Sequence, residues 1–459
     1  MLYRKIIKDL QFWKDNKTTA LLIQGARQVG KSSIIREFIE GFDNFIEIDF
    51  TKNTTALNLL LEIKSYDELV NRLSIISPVN IQSKGNNILF LDEIQYYYEI
   101  RQKRIEEDSS FSDYIDIITL SKEISERGDF RLILSGSMLG VSIFNTNHNP
   151  TGYLEQMTMY PMDFEEFLLA NGISKQVIEE IRTAFIDKKP ISEALHDILL
   201  KKYNEYLFVG GFPKAVQGYV DDKTLTLTTD ALDTIDNWYK SDIIKYASKE
   251  DRLIILEMYN ILPSEISKKN KKFVKSHMDV LNFKNLELED RYLWLKNAGI
   301  SIPTYNVTNS VYPLNASKDH KIVKLFMNDV GLLTHKLFNK EGKRKLIIDS
   351  NGIDLGAVTE NMVAELLFAH NYNPFFQSTK KRGEIDFIIE RNMEIIPIEI
   401  KSCEPDKRTG LYEHSALNKL LDSHPEIKES WVFGLNNVSK ENDRIQMFPI
   451  YMIDFVTNE

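Results

Sequence analysis

Two kinds of hydrophobic pattern divide this chain. In the first third, short unbroken apolar runs are separated by polar stretches of helical spacing: TALLI at 19–23, FIEIDF at 45–50, NILFLDE at 87–93, RLILSG at 131–136 and LEQMTMYP at 154–161. Unbroken runs of this length mark strands buried on both faces, so the region predicts a parallel sheet with crossover helices. A short helix precedes it, with Leu2, Ile6, Leu10 and Trp13 on one face. From Phe164 the pattern turns helical, through DFEEFLLANG, QVIEEIRTAFID and ISEALHDILLKKYNEYLFVGGFPKAVQGYV, with a tight turn at Gly210, Gly211 and Pro213. Residues 250–310 read as a compact helical unit with Pro263 at a turn and a strand-like end, ISIPTYNV, as in a winged helix. The last third alternates again: the helix TENMVAELLFAHN, the strands NPFFQST, EIDFIIER and MEIIPIEIKS, a helix near Leu411 to Leu421, then WVFGL and RIQMFPIYMI. There is no internal repeat. The expected segments are a sheet domain at 1–165, a helical lid at 166–249, a winged-helix-like connector at 250–310 and an α/β domain at 311–459.

Composition narrows the class. A chain of 459 residues exceeds one ordinary core, which demands several domains. Charged residues at 27% and hydrophobic residues at 43% are globular values, which excludes a disordered or fibrous chain. The net charge of −10 excludes a broad basic field, so any contact with phosphate must be local. Cys403 is the single cysteine, which rules out a disulfide framework and makes the cytoplasm the expected location. Charges interrupt the opening helix throughout, unlike a signal peptide, and no run approaches the ~18 apolar residues of a membrane span.

The first chemical signal is Gly25-Ala26-Arg27-Gln28-Val29-Gly30-Lys31-Ser32, followed by Ser33. It fits G-x-x-x-x-G-K-[ST] and lies where that pattern has a function, after the strand ALLIQ and before the helix SIIREFIEG. The glycines let the backbone curl around phosphate oxygens, and the helix directs its positive end at the same charge. Lys31 is then placed for the β- and γ-phosphates and Ser32 for Mg²⁺. Asp92 and Glu93 end the strand ILFL, where such a pair supplies a Mg²⁺-linked carboxylate (Asp92) and a base that orients water (Glu93). The strand RLILS brings Ser135, Gly136 and Ser137 to the same edge, either to sense the γ-phosphate or simply to form a turn.

These residues carry a resemblance. GARQVGKSS, ILFLDEIQ, LILSGS, YPMDFEEFL and YLFVGGFPKAV resemble, in that order, a large prokaryotic family of AAA+ ATPases whose C-terminal domain has no assigned function. The resemblance spans nearly the whole chain and implies a five-stranded P-loop ATPase core of the ASCE type, ATP rather than GTP, and Mg²⁺. Many relatives carry Gly-Arg ahead of a Pro-x-x-F segment, where this chain has Gly152-Tyr153 before Pro161 and Phe164. Arg27, Arg127 and Arg131 are nearby in sequence, and nothing local selects one as an arginine finger. A finger from a second subunit would require a homo-oligomer.

The second signal lies near the C-terminus. Glu384-Ile385-Asp386 opens one expected strand and Glu399-Ile400-Lys401 ends the next, with a turn between. Strand alternation points Glu399 and Lys401 the same way, and a hairpin brings Asp386 near Glu399, with Glu360 available from the preceding helix. Carboxylates in that grouping suit a second Mg²⁺ or Mn²⁺, and Lys401 suits positioning a water or steadying a phosphate. The order looks like the PD-(D/E)XK nuclease fold, also called restriction-endonuclease-like, and GEID with IEIK is similar to archaeal Holliday-junction resolvases. The competing reading is that each acidic triplet lies on a solvated strand face.

Lys268, Lys269, Lys271, Lys272 and Lys275, and separately Lys380, Lys381 and Arg382, form basic islands suited to a nucleic-acid backbone or merely to solvent. Tyr96, Tyr97 and Tyr98 either stack on bases or pack in a core. His277, His320 and His414 show no metal-ligand spacing. Two functions follow: an ATP-driven enzyme acting on nucleic acid, DNA before RNA, or a nucleotide-gated switch whose C-terminal domain binds a partner and cuts nothing. Neither involves a membrane.

Overall fold

The computed structural model describes residues 2–137, 152–268, 289–348, 353–406 and 412–457. The basic residues Lys269, Lys271, Lys272 and Lys275 and also His277 lie outside them. The apolar runs of the first third form strands β1 (Ala20–Gln24), β2 (Asn44–Asp49), β3 (Asn87–Asp92), β4 (Arg131–Gly136) and β5 (Leu154–Thr158). They pair in parallel in the order β2-β3-β4-β1-β5. Burial follows that order: β3 is buried throughout, whereas at the edges β2 buries only Ile46 and Ile48 and every residue of β5 is partly or fully open. Leu89, Leu91, Leu132 and Leu134 share a core with the helices Thr54–Leu61, Tyr66–Ile76, Ile94–Glu107 and Ile117–Arg127. Three of these helices start at side-chain caps from Asn53, Ser65 and Asp116.

The chain divides into two compact units, one of Arg4–Tyr160 with Asn297–Gly299 and one of Met1–Tyr3, Pro161–Lys296 and Ile300–Glu459. The larger unit combines a run of helices between Phe164 and Ile266 with an eight-stranded sheet. Its strands are β6 (Ser301–Val307), β7 (Lys318–Met327), β8 (Phe375–Thr379), β9 (Gly383–Arg391), β10 (Glu394–Ile400), β11 (Ser430–Gly434), β12 (Ser439–Lys440) and β13 (Ile445–Pro449). Their order is β12-β13-β11-β10-β9-β8-β6-β7.

Of the segment 250–310, residues 269–288 lie outside the described ones. Its strand-like end forms β6, which is buried except at Pro303 and pairs antiparallel with β7 and parallel with β8. Pro263 lies inside the last turn of the helix Arg252–Ile266 rather than at a bend. Within the sheet, β8, β9 and β10 run antiparallel in succession, and β11 returns parallel to β10 after the helix Ser415–Ser423. The β9–β10 hairpin turns at Asn392 and Met393, both with positive φ, as a two-residue type I′ turn requires. The helix Gly356–Ala369, which precedes β8, is buried on all sides from Val358 to Leu367. That makes it a core helix, and its two buried glutamates stand out.

Candidate functional site

The loop between β1 and the helix Lys31–Ile39 is shaped by backbone geometry that few residues tolerate. Gln28 and Gly30 adopt φ of 65° and 95°, and a Cβ on Gly25 would lie 2.1 Å from the Met159 carbonyl oxygen. Only glycine fits there, so the curl expected from the spacing is enforced by packing. Ala26 and Val29 are buried and anchor the loop from below, while Arg27, Gln28 and Ser32 are half-buried and Ser33 is exposed. Lys31 is nearly buried, and its Nζ donates to the carbonyls of Gly25 at 2.8 Å and Ala26 at 2.7 Å.

Asp92 ends β3 beside this loop. Ser135 Oγ donates to Asp92 Oδ1, the Glu93 N–H donates to the same oxygen at 3.1 Å, and Arg36 approaches Oδ2 at 3.5 Å. Parallel pairing of Leu91 with Leu134 sets Ser135 next to Asp92, so the two expected signals meet at the carboxyl edge. Glu93 sits in the left-handed region at φ 57°, ψ 45°, unusual for a side-chain-bearing residue. Gln95 Nε2 donates to its Oε2 and also to Ser137 Oγ at 3.3 Å.

Two arginines in this unit escaped the sequence reading. Arg4 is buried and donates to Val29 O at 2.6 Å and Tyr160 O at 2.7 Å, fastening the loop to the chain beyond β5. Arg36 pairs with Glu47 at 2.7 Å as well as approaching Asp92. Of the arginines considered as fingers, Arg131 begins β4, the strand end opposite to Ser135, and donates to Lys17 O. Arg127 ends the helix before that same strand end, held by Glu123 and lying 4.3 Å from the Tyr66 ring centre. Neither reaches the phosphate edge.

In the larger unit, the ligating oxygens of Glu360, Glu384 and Asp386 lie within 4.8 Å of one another. Glu384 replaces Glu399 in this group. A lysine that no motif contains, Lys324 of β7, enters it: Nζ lies 2.7 Å from Glu360 Oε1 and 2.6 Å from Glu384 Oε1. Burial acts against its charge, yet Glu360, Glu384 and Asp386 together outweigh burial and hold its pKa above the ordinary lysine value. Asp386 Oδ2 accepts from the Ile400 N–H at 2.8 Å. Glu399 is buried and its Oε2 lies 3.3 Å from Lys401 Nζ, as the two-residue alternation requires. Burial, and then Asp386, push its carboxyl up to about 8. Mg²⁺ requires hard oxygens at about 2.0–2.1 Å in near-octahedral array. Lys324 Nζ, paired with two of the three clustered carboxylates, takes up part of the space that a divalent ion there would need.

Tyr97 and Tyr98 are buried in the core beside Phe50 and Asp116, which excludes them as base-stacking surfaces; Tyr96 is half-buried. His320 and His414 each lie near one glutamate, Glu289 and Glu441 respectively, and Cys403 is exposed. Lys268 pairs with Glu265, whereas Lys380 and Lys381 are exposed on the turn between β8 and β9, with Arg382 half-buried beside them. The grouping of Asp163, His370 and Asp454 had no sequence signal, since its members are scattered over nearly 300 residues. Among the described residues no helix is long and apolar enough to cross a membrane.

Comparison with known proteins adds the following. Residues 17–168 match the family described as AAA domain, and residues 200–343 and 355–453 match two families described as domains of unknown function, DUF8612 and DUF4143. No curated protein matches the chain. Similar solved structures include the Walker-type ATPase of Pyrococcus abyssi, at 15% identity over 74% of this chain and 96% of that one, with a TM-score of 0.41. The ORC1 protein of Aeropyrum pernix in complex with DNA is similar at 12% identity over 75% of this chain and 94% of that one, with a TM-score of 0.30. Residues 17–168 thus form an AAA-type P-loop ATPase domain, which implies ATP and a divalent metal.

Proposed function

We propose that the protein is a nucleotide-gated ATPase whose C-terminal α/β region keeps a nuclease-like frame, binds nucleic-acid backbone, and does not cut it. In the ATPase domain, the loop 25–33 cradles the phosphates, Lys31 neutralises the β- and γ-phosphates, and Ser32 and Asp92 hold Mg²⁺. That fit is supported by the glycine-only packing of Gly25 against Met159 and by the convergence of Asp92 and Ser135 at the same edge. Mg²⁺ would supply charge neutralisation on the phosphates. Glu93 orients the attacking water, and Ser135 fixes the Asp92 carboxylate.

The observation that carries the non-cutting reading is Lys324, whose ammonium sits 2.7 Å and 2.6 Å from two of the three clustered carboxylates. The helix, three antiparallel strands, helix and parallel strand around this cluster support the nuclease-like frame, with Glu360, Asp386, Glu399 and Lys401 in the order the nuclease pattern has them. Exposed Lys380 and Lys381 support contact with phosphate beside it.

One experiment tests both halves. Nucleotide binding is expected to be lost in Lys31→Ala and retained in Glu93→Gln, with hydrolysis slowed in the latter. The wild type, incubated with Mg²⁺ or Mn²⁺ and branched, single-stranded or duplex DNA, or RNA, is expected to leave all of them intact. Metal-dependent cutting that disappears in Asp386→Ala and Lys401→Ala would overturn the binding reading in favour of a nuclease. Unchanged nucleotide affinity in Lys31→Ala would refute the assigned phosphate site.

A further inference from the structure

The phosphate edge contains one buried polar side chain that neither the phosphate loop nor the acidic pair includes. Gln95, near the start of the helix Ile94–Glu107, is 3% exposed. Its Nε2 donates to Glu93 Oε2 and to Ser137 Oγ, the latter at 3.3 Å. Its Oε1 is buried with no hydrogen-bond partner among the described residues. An unmatched buried amide oxygen is costly, so an apolar residue would suit this position better if packing were its whole role. Glu93 adds to the cost, since its left-handed backbone is strained for a residue with a side chain.

We propose that Gln95 is a positioning residue for ATP hydrolysis, the link through which Ser137 at the end of β4 sets the orientation of the Glu93 carboxylate. The inference rests on the reading of Glu93 as the group that orients water. One amide nitrogen carries two hydrogens, so a single side chain serves both partners at once. Holding Oε2 leaves the other carboxylate oxygen as the acceptor for the attacking water. A displacement of Ser137 is then transmitted to Glu93 through two hydrogen bonds, without passing through the phosphate loop. The role is one of alignment, in which small displacements cost large factors in rate.

Steady-state hydrolysis and binding of a fluorescent ADP analogue test this in Gln95→Ala, Gln95→Met, Ser137→Ala, Glu93→Gln and the Glu93→Gln/Gln95→Ala double variant. Gln95→Met nearly keeps the side-chain length and removes the donor without adding a charge beside Glu93, which guards against a folding defect in the alanine variant. Both Gln95 variants are expected to lose about tenfold to a hundredfold in kcat, with KM for ATP and analogue affinity changed by less than about twofold. Ser137→Ala is expected to lose less than either Gln95 variant. The double variant is expected to be no slower than Glu93→Gln alone, because a residue acting through Glu93 has nothing left to act on. Wild-type turnover in Gln95→Met, or losses that multiply in the double variant, or analogue affinity falling in step with kcat, would each overturn the link while leaving the phosphate site standing. A Glu93→Gln variant with undiminished turnover would instead remove the reading on which it rests, and an inactive wild type would remove the reaction and the link together.

Discussion

Lys31 and Lys324 are both buried ammonium groups, and their neighbours separate them. Lys31 donates to main-chain carbonyls of its own loop, partners that a phosphate oxygen outcompetes, whereas Lys324 is gripped by carboxylates. Glu399 shows the opposite problem, a carboxyl in a place that disfavours its charge. Its folded pKa of about 8 exceeds the ordinary glutamate value, so the folded state binds more protons than the unfolded state between about pH 4.5 and 8. Stability from this group is present below that window and is lost as pH rises through it. Glu399→Gln removes the titration, and is expected to flatten the fall in apparent melting temperature between pH 5 and pH 8. At pH 8 it should stabilise by roughly 2–4 kcal/mol, allowing for coupling to Asp386 and Lys401. A steeper fall in the variant's melts across that range would contradict the assignment. At this scale the GEID and IEIK pair was legible because strand alternation is local. Lys324 was not read, although a lysine inside the buried run VKLFM was a visible anomaly, because its partners are 36 and 60 positions away and no spacing rule connects them.

Elements were legible where one element explains its own pattern. The five strands of the first sheet read directly from unbroken apolar runs, and the two-residue hairpin from its turn position. Where an element depends on a distant partner the reading failed: β6 looked like the end of a small helical unit because nothing in ISIPTYNV reports pairing with β8, some seventy residues on. The attachment of the phosphate loop is of the same kind. Arg4, just before the helix Ile6–Asn16, holds that loop and Tyr160 beyond β5 by hydrogen bonds to one buried and one partly buried carbonyl. Arg4→Ala removes both donors and is expected to destabilise the ATPase domain by about 1–3 kcal/mol. It should also weaken nucleotide binding about tenfold, since part of the binding energy must then order the loop. Arg4→Lys should rescue only in part, because an ammonium on a shorter stem does not reproduce the two donors that the guanidinium fork holds at fixed separation. Thermal melts and nucleotide titrations check both effects. Full affinity in Arg4→Ala would show that the loop is held by glycine packing alone.

At the scale of the whole molecule, a net charge of −10 makes any contact with nucleic acid an exception that a local feature must explain. Part of the acid is not available to repel a phosphate backbone: Glu360 and Glu384 are paired with Lys324, and burial disfavours the charged form of Glu399. The effective field around the β8–β9 turn is therefore less negative than residue counts imply, and exposed Lys380 and Lys381 with Arg382 stand in it. Duplex DNA binding is expected to weaken as salt rises, with a log–log slope set by the few phosphates these residues neutralise. Replacing all three by alanine should flatten that slope by about 2–3 and weaken binding regardless of sequence, since backbone contacts carry no base information. Lys324→Met sharpens the test, because it exposes three carboxylates to one another without touching the basic turn. Its affinity for DNA should fall at low salt, and Mn²⁺ should restore it by taking the place of the ammonium. If Lys324→Met binds DNA as the wild type does and takes up no Mn²⁺, then the internal ammonium is not what separates this frame from a metal site.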